Sequence, residues 1–209
     1  EPFQIQKITI KEGLDGDDIC GRAPTGSGKT LAFGIPLVVR TKAAKPRKPQ
    51  SLILAPTREL ADQICKELQA FSGKRTVSVV YGGVSYGPQR KALAKGVDIL
   101  VACPGRLEDL IEQRELTLED VKQVVIDEAD RMADMGFMPA VKRILDQTSK
   151  DRQTILFSAT LDQDVAQLKK HYQHNPVTRE IGEKTPDIKN ADHTYAIAKK
   201  ADKPELVAK

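Results

Sequence analysis

The chain has no tryptophan, only three cysteines and no long apolar run. Cys20, Cys65 and Cys103 are odd in number and widely scattered, without the paired spacing of a disulfide framework or a zinc site. They point to a reducing, cytoplasmic setting. His171, His174 and His193 stand at no metal-ligand spacing with any of them, so surface histidines are the expectation. No stretch approaches the roughly 20 apolar residues that span a bilayer, and the opening residues do not form a secretory leader, so no membrane partner is expected. Charge of one sign is also lacking. Lys and Arg number 33 against 29 Asp and Glu, and the resulting +4 permits a polyanionic partner without demanding one.

What is present is a rhythm. Short apolar runs at 18–20, 51–56, 76–83, 97–103, 121–130 and 153–160 are continuous rather than alternating, as in strands covered on both faces. Helical patterns separate them. Leu60, Ile64, Leu68 and Phe71 share one face, as do Leu161, Val165, Leu168 and Tyr172. Pro104 suits the first turn of a helix carrying Leu107, Leu110 and Ile111, and Gly96 suits a helix stop. Met132, Met135 and Met138 read as packing of a short helix. Strand and helix in alternation predict an α/β domain, a parallel sheet with helices on both faces and ligands at the carboxyl ends of the strands. Residues 40–50, basic and with two prolines, read as an exposed loop, either a solvated connection or an arm that steers nucleic acid. The expected domain covers 1–184, and the polar stretch 185–209 reads as a linker.

Chemistry concentrates after the strand candidates. The stretch CGRAPTGSGKTLAF, residues 20–33, follows one strand and opens a helix, the context a phosphate-binding loop requires. Its residues Ala23, Pro24, Thr25, Gly26, Ser27, Gly28, Lys29 and Thr30 are the expected nucleotide cradle, although Ala23 stands where the consensus has glycine. Gly26 and Gly28 let backbone N–H groups converge on phosphate oxygens beside the helix's positive end. Lys29 would reach the β- and γ-phosphates, and the Thr30 hydroxyl would ligate Mg²⁺. A second metal ligand comes from VVIDEAD. There Asp127 would meet the ion through its water shell, and Glu128 would orient or deprotonate the attacking water. Taken alone, that acidic run is equally an acidic helix start. Ser158 and Thr160, in SAT, carry hydroxyls suited to bonding the carboxylates of the Asp127–Asp130 segment, or to capping the next helix.

With APTGSGKT, PTREL, GG, PGR, DEAD and SAT in this order, the chain resembles the N-terminal RecA-like domain of DEAD-box RNA helicases, from about Pro2 to Gly182. The resemblance implies ATP as substrate and Gln6 as reader of the adenine edge, whose amide can donate and accept together. It implies that Pro56, Thr57, Arg58, Gly83, Pro104, Gly105 and Arg106 line an RNA backbone path, read without regard to sequence. Asp130, Ser158 and Thr160 would couple hydrolysis to strand separation. Cys103 departs from the family's usual threonine, which moves that contact onto the backbone N–H groups of 104–106 and onto Arg106. A family aromatic upstream of Gln6 has no counterpart in the sequence.

The resemblance also implies a second RecA-like domain bearing the arginine finger, a pattern not found before Lys209. Alone and monomeric, the chain would bind nucleotide weakly, hydrolyse it slowly and not unwind. Two other readings stay open at this point. One is a DNA translocase sharing the RecA core, which Gln6 and the DEAD spelling oppose. The other is a docking module without catalysis.

Overall fold

The computed structural model describes residues 1–181, so the linker expected at 185–209 and His193 lie outside the described residues. Seven strands form one parallel sheet: β1 (Ile19–Arg22), β2 (Ser51–Leu54), β3 (Val77–Val80), β4 (Ile99–Ala102), β5 (Gln123–Ile126), β6 (Gln153–Ser158) and β7 (Val177–Glu180). Their spatial order is β3-β4-β2-β5-β6-β1-β7, and each neighbouring pair is parallel. Among the described residues eight helices connect and flank them: α1 (Gln4–Asp15), α2 (Lys29–Arg40), α3 (Arg58–Phe71), α4 (Tyr86–Lys95), α5 (Pro104–Glu112), α6 (Ala129–Asp134), α7 (Met138–Asp146) and α8 (Gln163–Tyr172).

The continuous apolar strands divide residue by residue between two cores. Leu52, Leu54, Leu100, Val124, Ile126 and Leu156 face the layer of α4 to α8. Ile53, Ile99, Val101, Val125, Ile155 and Phe157 face α1, α2 and α3. Burial on both faces removes the alternation that a half-solvated strand would show. Packing is tight at β1, where Gly21 lies directly under the Phe157 ring, so that a Cβ there would collide with it.

Two elements escape the sequence pattern. The buried residues of α1 are Ile5, Gln6, Thr9 and Gly13, only one of them large and apolar, so its period is hidden. In β7 the polar VTRE forms a half-exposed edge beside β1. The 40–50 loop leads into β2 at the amino end of the strands, far along the chain's sheet from the motifs. It is tied down there: Ala44 N donates to Asp98 (2.6 Å), Arg47 N to Leu93 O (2.9 Å), and Lys48 pairs with Glu119. Thr41 and Pro49 are buried. His171 and His174 are exposed; Met132 and Met138 are buried while Met135 is open to solvent.

Candidate active site

Every motif sits where a strand ends at its carboxyl side. The ends of β1, β5 and β6, adjacent in the sheet, gather the phosphate loop, the acidic run and SAT. Ala23 continues the sheet by donating to Ser158 O (3.1 Å), after which the chain turns through residues 24–28. Gly26 and Gly28 take φ of +80° and +85°, the left-handed region that side chains rarely adopt, and Gly28 caps the start of α2. The Ser27 hydroxyl braces the turn against Pro24 O (2.7 Å).

Beneath the loop lies a group of buried charges. Lys29 is 6 % exposed and Asp127 3 %, with Nζ 3.6 Å from Oδ1 and 3.4 Å from Ala23 O. Burial pushes the Asp127 carboxyl up to about 6, Lys29 pulls it back, and the Glu128 charge adds to the rise. Glu128 itself is held at φ +52°, a strained conformation for a residue with a side chain. Its carboxylate is gripped from two sides, by Thr25 Oγ1 (3.3 Å) and Arg131 Nη1 (3.2 Å). A cleft of about 310 Å³ opens over this group, with Gln6, Gly28, Thr30 and Glu128 in its wall. Gln6 is buried and already bonded: its Nε2 donates to Gly28 O (3.0 Å) and its Oε1 accepts from Phe3 N (2.9 Å). One N–H and one lone pair remain free, the complement of a paired base edge.

Asp130 joins α6 to the end of β6. Its Oδ2 accepts from Ala159 N, Thr160 N and Thr160 Oγ1 at 2.9–3.1 Å, while Asp130 N donates to Ser158 Oγ (3.2 Å). Burial opposes its ionisation, yet the bonds from Thr160 and Ser158 outweigh that, and its pKa lies below the ordinary carboxylate value.

Three more strand ends, those of β2, β3 and β4, carry the remaining motifs. Thr57 caps α3 through Leu60 N (3.3 Å), and Pro56 is buried behind it. Arg58 is exposed, its guanidinium 5.6 Å from the centre of the Tyr81 ring and 3.9 Å from Glu59. It lies across Gly83, where φ is +78° and a Cβ would stand 2.8 Å from Arg58 Nη1. At the start of α5 only Gly105 of the Pro104–Arg106 turn is exposed. Cys103 supplies no side-chain cap, and burial holds its thiol neutral with a pKa pushed up to about 11. Arg106 points inward rather than to the surface. It stacks on Tyr86 at 3.9 Å and donates to Val84 O (3.0 Å), so it props the loop that carries Gly83.

Three contributors carry no motif. Phe3 projects beside Gln6 at the cleft mouth and Tyr81 lies under Arg58. Arg131 grips Glu128 from three positions on; that i, i+3 spacing on a short helix was the only signal in the sequence.

Residues 3–168 match the family model described as DEAD/DEAH box helicase. Curated relatives agree. A DEAD-box ATP-dependent RNA helicase 3A, chloroplastic, from Zea mays is 45% identical over 86% of this chain and 25% of its own length. DEAD-box ATP-dependent RNA helicase 5 from Oryza sativa subsp. japonica is 48% identical over 87% and 37%. The chain thus spans about a quarter to two fifths of such relatives. Among solved structures, a DEAD box protein from Methanococcus jannaschii superposes with a TM-score of 0.80 at 34% identity, over 99% of this chain and 56% of that one. The yeast DEAD-box splicing factor Prp28 gives 0.82 at 38%, over 88% and 46%.

Proposed function

The chain belongs to the DEAD/DEAH box helicase family, and from that premise we propose that it is the ATP-binding half of an enzyme that couples ATP hydrolysis to local RNA unwinding or remodelling of RNA–protein contacts. The observation that carries this reading is the Lys29–Asp127–Glu128 group beneath the phosphate loop, bonded through Asp130 to the end of β6. Buried charges at this density are costly unless they meet a charged ligand.

The residues fit the substrate. Triphosphate oxygens would take the N–H groups of 25–30, and Lys29 Nζ has only two long contacts to give up, at 3.4 and 3.6 Å. The base would lie against Gln6 and Phe3. For Mg²⁺ the chain offers Thr30 and Asp127, and among the described residues no group of three or more His, Cys, Asp or Glu. That scarcity suits this ion, which keeps its waters and relies on one or two carboxylates plus phosphate. When bound, it would neutralise charge on the phosphates. Glu128, clamped by Thr25 and Arg131, would orient the attacking water and accept its proton at a carboxylate oxygen.

RNA would run over Arg58, Gly83 and the exposed Gly105. Contacts to phosphates and main chain would make the binding indifferent to base sequence. A second RecA-like domain of the full-length protein would close on this face and supply an arginine finger, worth on the order of 10³–10⁵ in rate. On this reading the isolated chain is a monomer with weak nucleotide affinity and very slow turnover. The free thiols, Cys20 and Cys65 buried, support a reducing compartment, which we take to be the cytoplasm.

Phosphate release, measured with and without single-stranded RNA, tests the proposal on this chain and on a longer protein carrying the next domain. RNA-stimulated turnover confined to the longer protein is the expected result. A longer protein that binds RNA but never turns over ATP would overturn it in favour of a docking role.

A further inference from the structure

A second cleft, of about 520 Å³, lies at the opposite, amino-terminal edge of the sheet and is larger than the nucleotide cleft. Its lining combines the ends of α1 and α2 (Gly16, Arg40, Lys42) with the entrances to β2, β5 and β6 (Gln50, Lys122 to Gln123, Asp151 to Gln153).

Two independent features of that lining point to a ligand. The first is charge. Arg40, Lys42, Lys122 and Arg152 meet there against the single carboxylate of Asp151, and none of the four is in an ion pair among the described residues. Their bonds go instead to neutral oxygens: Arg40 to Leu14 O, Lys122 to Ser149 Oγ, Arg152 to Ser149 O and Thr154 Oγ1. The adjoining groove holds Asp17 and Asp18, but Asp18 is spent on Thr154 N and His174 N.

The second feature is a row of polar residues where the strands begin. Ser51, Gln123 and Gln153 stand side by side in register on β2, β5 and β6, all buried. Ser51 is satisfied by Thr41 (2.6 Å). The glutamines are not: each is 6 % exposed and keeps a buried Oε1 without a hydrogen-bond partner. For Gln153 the amide orientation is settled, since its Nε2 already donates to Gly13 O (2.9 Å) and Asp17 O (2.8 Å). Orphaned acceptors of this kind are rare in native proteins and call for a donor.

We propose that this cleft is a binding site for a compact phosphate monoester whose hydroxyl or amine groups donate to Gln123 and Gln153 while its phosphate is held by Lys42, Lys122, Arg40 and Arg152. The cleft volume is in the range of small-molecule sites, about 300–1,000 Å³. It faces away from Arg58 and Gly83, so an RNA strand lying on the motif edge does not reach it.

The test is a titration followed by amide NMR on the parent chain, in which shifts at the phosphate loop (Gly26, Gly28) are followed separately from those at the cleft. Ribose 5-phosphate, inorganic phosphate and a short single-stranded RNA are compared. Saturable shifts at Gly16, Lys122 and Gln153 with ribose 5-phosphate are expected, weaker with inorganic phosphate. Affinity should fall by about tenfold in Lys42→Ala/Lys122→Ala, two exposed positions whose change leaves the fold intact, and tenfold is a readily measured difference. Absence of saturable shifts at these amides, or shifts indifferent to the double substitution, overturns the site. Inorganic phosphate binding as tightly as the ester overturns the role of the glutamines. RNA binding there more tightly than the ester, and lost with the same lysines, overturns the ligand class.

Discussion

At the ends of β1, β5 and β6 the charges are buried: Lys29, Asp127 and Glu128 are each less than a tenth exposed, Lys29 faces Asp127, and the Glu128 carboxylate is held by Thr25 and Arg131. At the ends of β2, β3 and β4 the cation that faces solvent, Arg58, rests on Tyr81 with only a distant carboxylate beside it, and the other arginine, Arg106, is folded away as a prop. The two halves share one sheet edge and differ in dielectric. A buried cluster makes interactions strong and intolerant of error, which suits a step in which one proton and one phosphate must be placed. An exposed guanidinium beside a glycine turn makes weak, screened contacts, which suits a polymer that must be gripped anywhere along its length and let go. Substitutions in the first half should therefore change chemistry and stability, and those in the second should change RNA affinity and its salt dependence.

The largest effect is expected at Glu128. Glu128→Gln keeps the contact with Thr25 but removes the proton acceptor, so RNA-stimulated phosphate release from the two-domain protein should fall by about 10²–10⁴-fold. Nucleotide binding should stay close to the parent. Turnover within a few-fold of the parent would show that the water is activated elsewhere and that the buried half is only a binding site.

Lys29→Ala separates chemistry from stability. It leaves Asp127 buried without its counter-charge, a change worth about 3 kcal/mol at pH 8. Burial already pushes the Asp127 carboxyl up to about 6 from an ordinary 3.8, and losing Lys29 raises it further. In the folded state the carboxyl therefore holds a proton over a range in which the unfolded chain has released it. Stability falls as pH rises through that range, fully so above the folded pKa and not at all below the unfolded one. Urea midpoints of the parent and variant should thus lie closer together at pH 5 than at pH 8. Equal gaps at both would mean that Asp127 is relieved by solvent in the variant.

Asp130 belongs to the first half, where it ties the start of α6 to the end of β6. Asp130→Ala strips the acceptor from Ala159 N, Thr160 N and Thr160 Oγ1 at a cost of about 1–2 kcal/mol. Because those bonds join the acidic run to the end of β6 and touch neither the nucleotide cleft nor Arg58, RNA stimulation of turnover should drop while separate affinities for nucleotide and RNA hold. Loss of either affinity alone would move Asp130 from the connection into one of the sites.

How much of this could be read in the sequence follows from the same physics. The central strands were legible because two-sided burial demands unbroken apolar runs, and the phosphate loop because only certain residues tolerate its turns beside a lysine and a hydroxyl. The buried residues of α1, Ile5, Gln6, Thr9 and Gly13, carry almost no hydrophobic signal, since Gln6 lines the cleft and close packing of Gly13 against Pro36 of α2 calls for a small residue. The inward turn of Arg106 was hidden because Tyr86, its stacking partner, lies on another helix. For the same reason the row of Ser51, Gln123 and Gln153 is invisible along the chain: only strand register brings them together.

The smallest effect, and the sharpest probe of the exposed half, is at Arg58. Arg58→Ala removes one cation, and with it one phosphate contact, so the slope of log affinity for single-stranded RNA against log salt should shrink by about 0.7. Gly83→Ala should act on the same contact from the other side, because its Cβ would press on Arg58 Nη1 and its φ of +78° disfavours any side chain. The two changes share one contact, so in combination they should be less than additive. Both should leave ATP affinity unaltered in the absence of RNA, since no atom of Arg58 or Gly83 lines the nucleotide cleft. A salt slope unchanged by Arg58→Ala, with affinity nonetheless reduced, would mean that the guanidinium stacks on a base rather than pairing with phosphate, and the exposed half would then read more than the backbone.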